Sequence, residues 1–95
     1  METIRLIEFG YSFLGSRSIA RSVRERADDL LKAGTDVTLD FHGIEEITDS
    51  FANELLGKLL GDATLPVLDR IRFKNCSSSV KVTIQALLTE AVTPS

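Results

Sequence analysis

The chain has 95 residues, enough for one domain and too few for two hydrophobic cores. Apolar residues make up 43% and charged residues 26%, proportions of a chain that folds, which excludes a disordered segment. The formal charge of −3, with Lys and Arg dispersed, leaves no electrostatic footprint for nucleic acid, and the longest apolar runs of two or three residues exclude a spanning helix of about 20 residues.

The N-terminus lacks the basic-then-apolar layout of a signal peptide, so a cytoplasmic protein is expected. A lone Cys76 makes no internal disulfide, in keeping with a reducing compartment. A lone His42 removes most histidine-based metal sites and catalytic dyads. A domain this short buries only roughly 60 to 68% of its unfolded surface, so a homodimer interface would be useful to it.

In chain order, the first predicted strand is Ile4 to Phe9, ending at Gly10. A loop from Gly10 to Gly15 leads into a helix from about Ser16 to Ala33, with Ile19, Val23, Ala27, Leu30 and Leu31 on one face and Gly34 as the stop. The second strand is Val37 to Phe41. After a polar loop with Gly43, Glu45, Glu46 and Thr48, helix two starts near Asp49 or Ser50 as N-cap. Its apolar residues are Phe51, Ala52, Leu55, Leu56, Leu59 and Leu60, closed by Gly61. A loop carrying Pro66 precedes the third strand, Ile71 to Lys74. Helix three begins within Ser77 to Ser79 and runs to about Ala91, burying Val80, Ile84, Leu87 and Leu88, with residues 91–95 a frayed tail.

Regular alternation of strand and helix implies parallel strands with right-handed crossovers. Val37, Leu39 and Phe41 alternate with Asp36, Thr38 and Asp40, and Ile71 and Phe73 alternate with Arg70, Arg72 and Lys74. Such half-polar strands belong to a sheet covered on one face only. The expected fold is therefore α/β, a two-layer β-α-β-α-β-α domain over residues 1–95 with a small, mainly parallel sheet and its helices on one face. Strands two and three as neighbours place an acidic row beside a basic one on the open face, which is either solvated or an interface.

The segment "VTLDFHGIEEITDSFANELLGKLL", Val37 to Leu60, resembles the central signature of STAS domains, the anti-sigma-factor antagonist fold. With "LGSR" (Leu14 to Arg17) and "RIRFKN" (Arg70 to Asn75), the chain is more closely similar to the bacterial STAS-like domain family of unknown function. In the antagonists, the resemblance implies, a strand ending in Asp leads to an Asp-Ser-Ser/Thr-Gly turn whose second hydroxyl is phosphorylated by a histidine-kinase-like ATPase, and phosphate breaks the complex. Aligning Asp with Asp puts Ser50 on the first hydroxyl and Phe51 on the acceptor; shifting by one makes Ser50 the candidate phosphoacceptor but puts Phe51 where glycine belongs. Either way the motif is degraded. A strand, loop and helix at the N-terminus is a second departure, because STAS domains usually start with paired strands.

The resemblance implies a non-catalytic regulatory interaction module with a protein partner, a histidine-kinase-like ATPase. Its docking and switch residues are expected to be Asp40, His42, Glu45, Glu46, Thr48, Asp49, Ser50 and Asn53, on the loop and the exposed start of helix two. Ser50 alone reads as an N-cap, and phosphate at a helix start would change the local charge without unfolding the domain. The alternative is a ligand- or nucleotide-binding domain using "GYSFLGSR", Gly10 to Arg17, with Gly15, Ser16 and Arg17 holding an anion. A Walker loop needs Lys after its second glycine, where Ser16 stands. A plain dimerising subunit is the third reading.

Asp40, Glu45, Glu46 and Asp49 read as a solvated acidic rim, a weak magnesium contact or a surface for a basic partner. A phospho-accepting receiver needs five strands, more than this chain supplies. Cys76 has no companion base and His42 sits at a strand end, so no nucleophile, base and orienting group come together, and no enzyme or cofactor is expected.

Overall fold

The computed structural model describes residues 1–10, 12–57 and 69–92. Three strands, β1 (Glu2–Arg5), β3 (Val37–Asp40) and β5 (Ile71–Lys74), form a parallel sheet in the order β1-β3-β5. Between them lie α1 (Arg17–Lys32) and α2 (Asp49–Ala52), and α3 (Ser78–Val92) follows β5. The expected α/β architecture with a small parallel sheet is what the chain adopts, and the structure supplies the position of β1, on the side of β3 away from β5.

The alternation of strand residues decides the layers. Ile4, Val37, Leu39 and Ile71 are buried, while Thr3, Arg5, Arg72 and Lys74 on the opposite face are exposed. Helix α1 lies against β1 and β3, burying Ala20, Val23, Ala27 and Leu31, one stripe at helical spacing. Ile19 and Leu30, expected inside, flank that stripe as half-buried residues.

Opposite charges meet across the open face as expected. Asp36 and Arg70 form an ion pair at 3.1 Å, and Asp40 stands in register between Arg5 and Lys74. Thr38, read as a surface residue of this face, is buried, and its hydroxyl lies 3.1 Å from the Met1 sulfur.

Several boundaries differ from expectation. The first strand covers Glu2–Arg5, and Leu6–Phe9 forms a single 3-10 turn. The ladder partner of Arg5 is Asp40, the last residue of β3, so beyond Arg5 there is no strand left to pair with. Strand β3 likewise ends at Asp40, although Phe41 still donates its N–H to the Lys74 carbonyl at 2.8 Å.

Helix α1 ends as the glycine signal indicates: Gly34 adopts φ of 85°, and Gly34 and Thr35 donate back to the Leu31 and Leu30 carbonyls. Helix α3 runs to Val92, one residue beyond the expected end near Ala91. The expectations for Leu59, Leu60, Gly61, Pro66 and residues 93–95 lie outside the described residues. No helix among the described residues is long and apolar enough to cross a membrane.

A second small sheet was not foreseen. Residues Phe13–Leu14 (β2) pair in parallel with Glu46–Ile47 (β4). Leu14 and Ile47 turn into the core, whereas Phe13 is 53% exposed. Two-residue strands have no periodicity for a sequence to display.

Candidate functional site

The carboxyl end of β3 opens into the loop that carries most of the expected docking residues. Residues 41–44 make a tight turn in which Ile44 donates to the Phe41 carbonyl at 2.9 Å and Gly43 takes φ of 86°, the position of a type II turn that requires glycine. Phe41 and Ile44 point into the core, so the turn is anchored from below while His42 stays exposed.

Asp40 braces this turn from the side. One of its carboxylate oxygens accepts from Asn75 Nδ2 at 3.0 Å and from the His42 N–H at 2.9 Å. These bonds, the Asn75 one first, hold the carboxyl below its ordinary range, because they favour the ionised form. Asn75 adopts φ of 59°, a left-handed conformation that asparagine tolerates better than most residues. Sequence reading passed over Asn75; its place directly after a strand was the available signal.

Two separate segments hold the next residue, Glu45. Its N–H donates to the Ser12 carbonyl at 2.7 Å, and its own carbonyl accepts from the Ser77 hydroxyl at 2.8 Å. The same Ser77 hydroxyl accepts from the Val80 N–H at 3.2 Å and caps α3. Ser12 and Ser77 are therefore site residues that the sequence did not single out. With the backbone tied on both sides, the Glu45 and Glu46 side chains remain exposed and make no ion pair with a described residue.

The start of helix two differs from expectation. Thr48 is the N-cap: it is extended, and its hydroxyl accepts from the Phe51 N–H at 3.0 Å. Asp49 and Ser50 were expected there, but β4 runs through Ile47, so the chain leaves extended geometry one residue earlier. Ser50 sits in the first turn, exposed. Phe51 is fully buried, which explains how a phenylalanine occupies the aligned acceptor position. After Ala52 the helix widens into a π turn, Asn53–Gly57, burying Leu55 and Leu56 while Asn53 stays exposed. Glu54 of this turn pairs with Arg24 of α1 at 2.6 Å.

The two regions that the sequence treated as competing sites are neighbours in space. A Cβ on Gly15 would lie 3.2 Å from the Thr48 methyl, so glycine permits the close approach of the two loops. Arg17, Ser50, Asn53 and Glu54 line one small depression of about 210 Å³. Ser16 caps α1 by accepting from the Ile19 N–H at 3.4 Å. Between the two glycines the described chain forms strand β2.

Beside the turn lies an open depression of about 620 Å³ bordered by Ser12, His42, Glu45, Asn75, Cys76 and Ser77. Burial pushes the Cys76 thiol above its usual range, which keeps it protonated and weakly nucleophilic. Among the described residues no group of three or more His, Cys, Asp or Glu is placed to hold a metal ion. The region can present a fixed backbone with acidic and hydroxyl side chains to a partner.

A family model described as a STAS-like domain of unknown function (DUF4325) matches residues 20–81. No curated protein and no solved structure matches the chain.

Proposed function

The chain belongs to the family of STAS-like domains of unknown function, and from that membership we propose that it is a non-catalytic regulatory module that binds a protein partner. The partner docks on His42 to Asp49, Ser50 and Asn53, with Asp40 bracing the loop from beneath. Support comes above all from Glu45: its backbone is bonded on both sides while its carboxylate and that of Glu46 project freely. A surface fixed before binding loses less conformational entropy on association, and a basic partner face meets its charges without rearrangement.

A histidine-kinase-like ATPase from the same genome is the partner to test. Ser50 is the candidate switch, since a phosphate there meets Arg17 on one side and faces Glu54 on the other, changing the charge of the docking face.

The experiment is calorimetric titration of the purified chain with that ATPase, followed by phosphosite mass spectrometry. Glu45→Lys with Glu46→Lys weakens binding about tenfold or more while the melting temperature stays within a few degrees. Unchanged affinity in this double variant moves the docking face elsewhere, and an unmodified Ser50 after incubation with ATP and the kinase removes the switch.

A further inference from the structure

The far edge of the sheet carries a second feature. Strand β5 pairs with β3 on one side, and no described strand pairs with its other side. Val37 donates to the Arg70 carbonyl and Phe41 to the Lys74 carbonyl, so residues 70, 72 and 74 turn their main-chain groups toward β3. In a parallel ladder the intervening residues, Ile71 and Phe73, then turn their N–H and C=O outward.

Alongside that edge lies a groove of about 620 Å³, which shares Asn75 and Cys76 with the depression beside the docking loop. Phe73 and Cys76 form one wall and Ile84 and Leu88 of α3 the other, with Lys74 and Lys81 at the rim. No residue of β3 lines it, so it opens where the sheet ends. Helix α3 packs against β4, α2 and the π turn, and its Lys81, Ile84, Gln85 and Leu88 line the groove.

Charge indicates what fits. Arg72, Lys74 and Lys81 are exposed and make no ion pair with a described residue, and no acidic side chain lines the groove. We propose that the β5 edge and its apolar groove accept an extended peptide of alternating apolar and acidic residues from a partner protein, added as a further strand. Strand alternation sends its apolar side chains to the helical side, onto Phe73, Ile84 and Leu88. Its carboxylates go to the open face, beside Arg72 and Lys74. Edge-to-edge pairing of two copies through β5 sets these cations against each other and is disfavoured.

The test uses a short fluorescent peptide of alternating glutamate and valine, with a peptide of the same composition in two blocks and an alternating lysine–valine peptide as controls. The alternating acidic peptide binds about tenfold more tightly than either control, and added salt weakens it. The Ile71 and Phe73 amides gain protection from hydrogen exchange on binding. Arg72→Glu with Lys74→Glu, both on the exposed face, abolishes binding of the acidic peptide and admits the lysine–valine one. Equal binding of the block peptide, or no added protection at the two amides, overturns strand addition. Protection that grows with protein concentration in the absence of peptide shows a second copy as the occupant and also overturns it.

Discussion

The two ends of strand β3 solve the same problem differently. At the amino end, Asp36 is paired with Arg70, which also donates to the Leu31 carbonyl at 2.9 Å, so charge is matched within the chain and the end of α1 is tied to the sheet. At the carboxyl end, Asp40 is held by a side-chain amide and a backbone N–H, and Glu45 and Glu46 beyond it are held only through their own backbone groups, by the Ser12 carbonyl and, for Glu45, the Ser77 hydroxyl. One end uses its charges for itself. The other fixes its backbone and leaves the Glu45 and Glu46 carboxylates exposed, with no ion pair to a described residue, at the end of the sheet where open parallel sheets commonly bind ligands.

Breaking the support beneath the carboxyl end has the largest effect. Phe51 is fully buried under α2, and Phe51→Ala costs about 3 to 5 kcal/mol in urea unfolding, most of the stability of a domain this small. Next comes the cap. Thr48→Ala loses about 1 kcal/mol, whereas Ser50→Ala, on the surface two residues along, changes stability by less than about 0.5 kcal/mol; the reverse ranking overturns the assignment of the cap.

The smallest effect is the acid response of Asp40. Its folded pKa is depressed, so its contribution is present above the ordinary carboxylate value of about 3.9 and is lost as pH falls through the folded value. Solvent screening keeps this below about 1 kcal/mol. Unfolding midpoints across pH 5 to roughly 2 decline more steeply in the native chain than in Asp40→Asn, whose amide oxygen still accepts but does not titrate. Parallel curves mean that the brace carries no charge effect.

Much of the fold was legible because it rests on period. The alternation Val37, Leu39, Phe41 against Asp36, Asp40 marked a one-sided sheet, and Ile71 and Phe73 against Arg70, Arg72 and Lys74 marked its neighbour. Gly34 marked the end of α1. The acidic loop after β3 was legible as a run of carboxylates, but the groups that shape it were not. Asn75 lies 35 positions from Asp40 and Ser77 lies 32 from Glu45, and these two and Ser12 act through isolated polar bonds with no pattern around them.

By itself the sequence determined that the main strands turn an apolar face inward, that they run parallel, and the family, since side-chain alternation and helical spacing are local properties of the chain. Only tertiary structure decided where strands stop and which loops meet. The first strand ends where β3 offers no further partner, the cap falls on Thr48 because β4 ends at Ile47, and Gly15 touches Thr48 because two distant loops converge. Ladder length and loop convergence depend on what stands opposite in space, and a linear pattern carries no record of that.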